Sequence, residues 1–209
     1  PEFPDFVAER VLGRGGFGTV YLARRASDGH RVAIKTARAD NHAAKASLFK
    51  EVDALKVIGA PWVPAVLGEG TLPDGTPWVA MDLIAAPTLS KVWDDEQGPW
   101  DPLRAMRVVR ALADVMAVSH ERGLVHRDIK PENFFVELVG DEVRAWVFDF
   151  GLVAVTGTMP DPNAAGEGTP EYMPPEQFAA DQSIAPSADV YALGITLYEM
   201  LAGAPPFHG

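Results

Sequence analysis

Asp128, Asn133 and Asp149 carry the side chains whose types and spacing are best suited to metal and phosphate chemistry. Asp128 and Asn133 stand in the charged stretch HRDIKPEN, and Asp149 follows sixteen residues after Asn133 in VFDFG, where a strand is predicted to end. Carboxylate and amide oxygens are ligands that Mg²⁺ accepts, with water and phosphates completing its octahedron. One carboxylate can bind the metal while the other accepts a hydroxyl proton. The pattern therefore indicates a magnesium site beside a general base.

A lysine and a glutamate in the first quarter of the chain form a second candidate pair. Lys35 lies in the apolar run VAIK, and Glu51 lies on the helix predicted to follow it. A bond between them would fix the helix against the strand and aim the ammonium group at phosphate oxygens. The alternative is a lysine that extends its head group from the strand edge into water, beside a solvated helix carboxylate.

The stretch GRGGFGTV supplies glycines at the spacing G-x-G-x-x-G-x-V between two predicted strands. Glycines let backbone N–H groups approach a phosphate closely, and the valine is placed to cover the flat face of a base. A dinucleotide-binding fold needs a helix directly after such a loop, whereas TVYLA is typical of a strand. The residues concerned are Gly13, Gly15, Gly18 and Val20.

Composition limits the class of protein. The chain has 209 residues, of which 47% are hydrophobic, and this suits one domain or two small lobes with packed cores. The net charge of -11 opposes binding to nucleic acid or to an anionic membrane. The absence of cysteine suits a reducing compartment, so we expect a cytoplasmic protein or the cytoplasmic part of a membrane-anchored one. The sequence leaves open whether Pro1, Glu2 and Phe3 are an added remnant.

Residue patterns predict the elements that position these groups. Three short β-rich runs between residues 6 and 37, a helix over residues 43–58 and a hairpin between residues 63 and 83 indicate antiparallel sheet plus one helix. Beyond them we predict a helix over residues 102–122 ended by Gly123, a second hairpin around VGDE, and a helix over residues 186–201 capped by Ser183 or Ser187. Residues 154–170 are predicted to form a loop.

Taken together in this order, the motifs resemble the eukaryotic-type (Hanks-type) protein kinase family, and most closely its bacterial serine/threonine members. The resemblance covers residues 6–207 and is carried by GRGGFGTV, VAIK, the glutamate, HRDIKPEN, DFG, GTPEYMPPE and DVYALGITLYEMLAGAPPF. It implies an α+β, bilobal fold. The N-lobe, residues 1–84, would hold an antiparallel sheet and one helix, and residues 85–209 would form a mostly helical C-lobe.

The resemblance also implies roles for individual residues. Lys35, paired with Glu51, would hold the α and β phosphates of ATP. Asp128 would orient and deprotonate the substrate hydroxyl, and Lys130 would neutralise charge on the transferred group. Mg²⁺, with Mn²⁺ as an alternative, would be bound by the two remaining members of the set, Asn133 and Asp149.

The same resemblance implies an adenine site. The base would lie between valine and alanine side chains on one side and a phenylalanine on the other. Met81 would be the gatekeeper, and the backbones of Asp82 and Ile84 would be hydrogen-bond partners. The phenylalanine is larger than the leucine expected there, which puts the depth of the site in question. The apolar residues are Val20, Ala33 and Phe135.

Regulation and substrate class follow from the activation segment, Asp149 to Glu176. In this family the arginine of HRD commonly receives a phosphothreonine, so Arg127 would bind phosphorylated Thr156 or Thr158. Thr169 would bond to Asp128 and Lys130. The alternative is that the loop threonines are unmodified. Lys130 is typical of serine/threonine kinases rather than of tyrosine kinases or small-molecule phosphotransferases.

Two departures from the family pattern concern the C-lobe. Pro174 replaces the usual alanine, a change that we expect the turn to tolerate. The chain stops at GAPPFHG, so the last helices of the family, and the arginine that would pair with Glu176, are expected to be missing. Three explanations stay open: a fragment, a short kinase with a rearranged C-lobe, or a second chain that completes the lobe, including a homodimer.

The resulting prediction is an ATP-dependent kinase acting on serine or threonine of a protein substrate. The alternative from another class is a pseudokinase, that is, a nucleotide-binding scaffold with little turnover because its C-lobe is incomplete. Asp189, on the last predicted helix, would hold the HRD loop by its backbone in this family.

Overall fold

The structure, a computed structural model, describes residues 1–15, 18–96, 98–159, 166–178 and 183–207. Gly16 and Phe17 of the glycine-rich stretch and residues 160–165 of the activation segment lie outside the described residues. The chain divides into two compact units, Pro1–Ala85 and Ala86–Gly209. Among the described residues, the first unit has one sheet and one helix, and the second has several helices and two small two-stranded sheets.

The first unit is a five-stranded antiparallel sheet with one helix, which confirms the predicted class. The spatial strand order is β1-β2-β3-β5-β4. Helix α1, His42–Ile58, begins where the Asn41 side chain accepts a hydrogen bond from the Ala44 N–H, because an asparagine at this position satisfies a free helix donor. The strands are β1 Phe6–Arg14, β2 Gly18–Arg25, β3 Arg31–Ala37, β4 Val66–Thr71 and β5 Pro77–Asp82.

The two faces of this sheet differ in what they bury. One face carries an aromatic cluster that includes Phe3, whose ring meets Tyr21 and Trp78 edge-on at centroid distances of 5.6 and 5.7 Å. Since side chains alternate along a strand, the β3 residues between the buried ones point to the opposite face. The buried members of the cluster are Phe3, Phe6, Ala23, Val32, Ile34, Leu72, Trp78 and Ala80.

The second unit is mostly helical, as predicted, with short strands between its helices. Its principal helices are α2 Leu89–Glu96, α3 Pro102–Glu121, α4 Pro175–Phe178 and α5 Ser187–Ala202. Its strands are β6 Leu124–Val125, β7 Phe134–Val139, β8 Glu142–Val147 and β9 Ala154–Val155. Strands β7 and β8 form the predicted hairpin, and β6 pairs with β9. Single 3₁₀ turns span Pro131–Asn133, Phe150–Leu152 and Pro170–Tyr172.

Helix ends follow the sequence signals in α3 but not in α5. The Asp101 carboxylate caps the first turn of α3, and Gly123 follows its end with a φ of 75°. The predicted serine caps of α5 are wrong. Pro186 holds the cap position with helical dihedral angles, and Ser187 is already the first helical residue, past the point where its hydroxyl could cap.

Helix α2 was not predicted. Leu89 is its one buried residue, and Val92 and Trp93 follow it at helical spacing, so its sequence does contain a short apolar period. Among the helices of the described ranges, none is both long enough and apolar enough to cross a membrane.

Candidate active site

In the first unit, the predicted ion pair between strand and helix is present. Lys35 Nζ donates to Glu51 Oε2 at 2.6 Å, and Glu51 is only 2% exposed. Strand β3 supplies the lysine and α1 the carboxylate, sixteen residues apart in sequence. A buried carboxylate requires such a partner, because an uncompensated charge inside a protein is costly. The pair therefore fixes the helix against the sheet.

The residues expected around a nucleotide share one face of this sheet. Val20 on β2 pairs with Lys35 on β3, and Ala33 on β3 pairs with Met81 on β5. Paired residues point to the same face, and alternation places Ala33 with Lys35. This face is the one opposite the aromatic cluster.

Gly13 lies near the end of β1, Gly15 lies just beyond that strand, and Gly18 begins β2. Gly13 pairs with Val20, and the Gly15 N–H donates to Gly18 O at 2.9 Å. A Cβ atom added at Gly18 would lie 1.7 Å from Thr36 O, whereas one added at Gly13 would meet nothing within 4 Å. Gly18 thus serves the close approach of β2 to β3, and Gly13 leaves open space.

Asp82 and Ile84, whose backbones are the expected hydrogen-bond partners of adenine, lie at the end of β5 and just beyond it. The Asp82 N–H donates to Ala65 O at 3.0 Å, so this donor is engaged inside the unit. The Asp82 carboxylate lies 3.1 Å from His30 Nε2. Ile84 is half-buried.

In the second unit, three predicted residues converge on the carboxylate of a fourth, Asp128. Thr169 Oγ1 donates to Asp128 Oδ1 at 2.8 Å, and Lys130 Nζ donates to Thr169 Oγ1 at 2.7 Å. Lys130 Nζ also lies 2.8 Å from Asp128 Oδ2. The Asn133 amide donates to the backbone O of Asp128 at 2.7 Å and to its Oδ2 at 3.2 Å. A hydroxyl, an ammonium group and an amide therefore hold the carboxylate in one orientation.

Asp189 on α5 holds the backbone that precedes this carboxylate. Its two oxygens accept hydrogen bonds from the N–H groups of His126 and Arg127, both at 2.9 Å. One of them also lies 2.8 Å from His120 Nε2 on α3. Asp189 is fully buried, and Arg127 has a φ of 71°, a conformation that is uncommon for residues other than glycine. The contact expected for Asp189 is therefore present.

The DFG stretch is tied to the same loop. The Phe148 N–H donates to Asn133 O at 3.1 Å, and Phe148 O lies 3.1 Å from His126 Nε2. Asp149 follows with a φ of 63° and precedes the 3₁₀ turn. Phe135, the expected floor of the adenine site, stacks on Phe148 at a centroid distance of 4.3 Å.

The donor set suits a hard divalent cation that also binds phosphate. The Asn133 amide turns its Nδ2 toward Asp128, which leaves Oδ1 as its ligand atom. Asp149 adds a carboxylate on the adjoining strand end. Within the ranges that the structure describes, no group of three or more His, Asp or Glu side chains is assembled to hold a metal. A cation here would draw further ligands from water and phosphate, as Mg²⁺ commonly does.

In the activation segment, Thr156 and Thr158 follow β9, and both are exposed. The Thr158 hydroxyl donates to Val155 O at 2.7 Å, and the Thr156 N–H donates to Gly123 O at 2.8 Å. Further along, Pro174 is buried just before α4, and Glu176 is half-buried within that helix.

Sequence reasoning missed Tyr172 and Glu199, which form one contact. The Tyr172 hydroxyl donates to Glu199 Oε2 at 2.5 Å. Burial, together with this hydrogen bond, raises the pKa of Tyr172 well above its usual range. Burial also raises the pKa of Glu199, with Glu132 adding to the shift and the tyrosine bond opposing it. The pair joins two distant stretches, PEY and YEM, neither of which has a spacing that indicates the other.

Comparison with known proteins gives one family. A family model described as "Protein kinase domain" matches residues 6–209. The chain is 39% identical over 203 residues to serine/threonine-protein kinase AfsK of Streptomyces coelicolor, covering 95% of this chain and 24% of the relative.

Two further relatives are bacterial as well. Identity is 35% over 211 residues to serine/threonine-protein kinase pkn2 of Myxococcus xanthus, covering 96% of this chain and 24% of the relative. It is 35% over 209 residues to serine/threonine-protein kinase PknB of Mycobacterium tuberculosis, covering 95% of this chain and 32% of the relative. The chain thus spans about a quarter to a third of the length of the curated relatives that it matches.

Proposed function

Because the chain belongs to the protein kinase family, we propose that it transfers the γ-phosphoryl group of ATP to serine or threonine hydroxyls of protein substrates. The observation that carries this proposal is the set of contacts on Asp128. Its carboxylate receives a hydroxyl, an ammonium group and an amide within 3.2 Å. An oriented carboxylate can position an acceptor hydroxyl, and an adjacent ammonium group can balance the charge of a phosphoryl group.

Asp128 is the proposed base. The acceptor oxygen forms a bond to the γ-phosphorus, the bond from that phosphorus to the β,γ-bridging oxygen breaks, and the hydroxyl proton passes to the carboxylate. The bond from Thr169 supports this role, since it places a threonine hydroxyl 2.8 Å from Asp128 Oδ1. Lys130, at 2.8 Å from Oδ2, would neutralise charge on the transferred group.

Asn133 and Asp149 are the proposed magnesium ligands, with Mn²⁺ as a substitute. When bound, the ion supplies charge neutralisation on the phosphate oxygens. The chain itself provides the orientation of both ligands. Asn133 is fixed by its two bonds to Asp128, and Asp149 follows Phe148, whose N–H is bonded to Asn133 O.

The first unit is proposed to bind the nucleotide through the sheet face that carries Lys35. The Glu51 carboxylate keeps the ammonium group in place for the α and β phosphates. Other proposed contacts in this unit are Gly13, Gly15, Gly18, Val20, Ala33, Met81, Asp82 and Ile84. In the second unit, the proposed contact with adenine is Phe135.

The choice of serine or threonine as acceptor rests on two observations. The relatives are named as serine/threonine-protein kinases, and Thr169 bridges Lys130 and Asp128 beside the base. A cytoplasmic location, where ATP is supplied, belongs to the same proposal. Homodimerisation, or a partner that completes the second unit, stays a prediction of the sequence.

Autophosphorylation of the activation segment is part of the proposal. Thr156 and Thr158 are exposed, and Arg127 supplies the cation for a phosphate on either of them. Peptide mass spectrometry after incubation with ATP and Mg²⁺ should find phosphate on Thr156 or Thr158. Unmodified threonines in an active preparation would exclude this route of regulation.

The central experiment measures transfer from labelled ATP to a generic protein acceptor, with and without magnesium, by the full gene product. We expect Asp128→Asn to lower the rate by about 10²-fold or more, the usual contribution of a general base. Nucleotide binding without transfer would instead support a scaffold. Equal rates for Asp128→Asn and the parent would refute the assigned base.

A further inference from the structure

The side chain of Gln177, on α4, joins two stretches of backbone that lie far apart in sequence. Its Nε2 donates to Arg127 O at 2.8 Å and to Glu167 O at 2.9 Å. Arg127 belongs to the HRD loop, and Glu167 belongs to the described end of the activation segment. One amide nitrogen therefore bridges the loop that carries the base and the segment that carries Thr169.

The chemistry of this bridge is fully matched. A glutamine amide has two N–H donors, and each of them has one carbonyl acceptor here. The reverse orientation of the amide would place its oxygen against two carbonyl oxygens, so the partners themselves decide which atom is the nitrogen. An acidic side chain has no donor for these two carbonyl oxygens.

The backbone around the amide is shaped to admit it. Gly168 has a φ of 132°, and a Cβ atom there would lie 3.1 Å from Gln177 Nε2 and 3.0 Å from Met173 Cε. The Gly166 N–H points to the backbone O of Gln177 at 3.5 Å, at the limit of a hydrogen bond. A side chain at residue 168 would therefore compete with the bridge for space.

Each end of the bridge lies close in sequence to one partner of the hydrogen bond between Thr169 and Asp128. Arg127 immediately precedes Asp128, and its own N–H is held by Asp189. Glu167 lies two residues before Thr169, whose hydroxyl donates to Asp128. The backbone of Arg127 is thus held on both sides, by Asp189 at its N–H and by Gln177 at its C=O.

We propose that Gln177 is a positioning residue for phosphoryl transfer. Its amide sets the spacing between the HRD loop and the end of the activation segment, and thereby seats Thr169 against Asp128 and Lys130. This inference rests on the proposed kinase activity. It assigns to Gln177 a contribution to the acceptor side of the reaction, with no contact to ATP.

The test compares Gln177→Glu and Gln177→Met with Phe178→Ala in the full gene product. Glutamate keeps the shape of glutamine but removes both donors and faces two carbonyl oxygens. Methionine removes the donors without adding charge. Phe178 is exposed on the same short helix, so its replacement controls for damage to α4.

Kinetics with a protein acceptor should separate positioning from folding. Loss of two hydrogen bonds should lower kcat/KM for the acceptor about tenfold in both Gln177 variants, with KM for ATP changed less than about twofold. In a Thr169→Val background the same substitutions should have less than about a twofold effect, because the group that they position is gone. A full effect in that background, or acceptor kinetics equal to those of the parent, would overturn the inference.

A readout without turnover separates this inference from the proposed function. Hydrogen exchange of the peptide covering residues 166–173 should be faster in Gln177→Glu than in the parent, with α3 unchanged. If the parent transfers no phosphate but exchange still differs between the parent and Gln177→Glu, the kinase activity is refuted. The structural role of the Gln177 bridge then still holds. An active parent whose Gln177→Glu variant shows no change in exchange or in acceptor kinetics would refute the positioning role alone.

Discussion

Thr169 Oγ1 lies 2.8 Å from Asp128 Oδ1, so a hydroxyl of the chain itself occupies one oxygen of the proposed base. The other oxygen faces Lys130 at 2.8 Å and Asn133 at 3.2 Å. An ionised carboxylate accepts about four hydrogen bonds, so the contacts orient Asp128 without exhausting its acceptor capacity. An incoming hydroxyl can therefore be accepted while these contacts persist.

Replacement of Thr169 by valine tests the value of this contact. Valine has nearly the same shape but cannot donate to Asp128 or accept from Lys130. A hydrogen bond to a charged group contributes about 1.5–3 kcal/mol, so kcat should fall roughly tenfold or more. The rate of transfer of labelled phosphate at saturating ATP and acceptor measures kcat. Thr169→Ser keeps the hydroxyl and should retain most of the activity. Equal losses in both variants would show that the hydroxyl is not the relevant group.

Replacement of Asp189 by alanine should destabilise the second unit. Two buried N–H groups, those of His126 and Arg127, would lose their acceptor. Each orphaned donor costs about 1–3 kcal/mol. Denaturant unfolding followed by fluorescence measures the change.

Asp114→Ala is the matched control, since Asp114 on α3 is exposed and, within the described part of the chain, pairs with Arg110 at 3.3 Å. Its loss should lower the free energy of unfolding by less than about 1 kcal/mol. A similar stability for Asp189→Ala and this control would show that the Asp189 bonds do not support the loop.

Gly18→Ala should destabilise the first unit. The added Cβ would lie 1.7 Å from Thr36 O and 2.8 Å from Thr36 C, both of them backbone atoms that cannot rotate away. Forcing extra atoms into a packed position costs roughly 1–3 kcal/mol. Gly13→Ala, where the Cβ meets nothing within 4 Å, should change stability by less than about 0.5 kcal/mol. Thermal unfolding distinguishes the two, and the same melting temperature for both would contradict the close approach of β2 to β3.

Glu199 should make stability depend on pH in the acidic range. Burial raises its pKa in the folded state above the usual 4.5, so its ionisation disfavours the folded state. Stability from this group is complete below about pH 4.5 and is lost as the pH rises through the raised pKa. Glu199→Gln can still accept from Tyr172 but cannot ionise, so it should lose less stability over that range. Parallel pH profiles of the two proteins would refute this assignment.

The parts of the site that could be predicted from the sequence share a common cause. Lys35 and Glu51 are opposite charges on two elements whose periodicity is clear, so the ion pair between them followed from the pattern. The contacts between Thr169, Asp128 and Lys130 followed from the resemblance to protein kinases. In each case, the identity of the side chain carries the information.

The parts that were missed depend on partners that leave no trace in sequence. Gln177 bonds to backbone carbonyl oxygens, and every residue has one, so nothing in Arg127 or Glu167 indicates it. Helix α2 differs, because Leu89, Val92 and Trp93 have helical spacing, but its eight residues give only about two turns of that pattern. The cap of α5 was assigned wrongly because two serines near its start are good caps in general, whereas Pro186 takes that position.

Phe3 has a practical consequence for protein engineering. Its ring is 5% exposed and fills the aromatic layer between Tyr21 and Trp78, on the sheet face away from Lys35. An expression boundary moved to Phe6 would remove this ring, open the Trp78 ring to water and add an exposed apolar surface. Phe3 therefore belongs to the folded unit and should be retained whenever this unit is expressed.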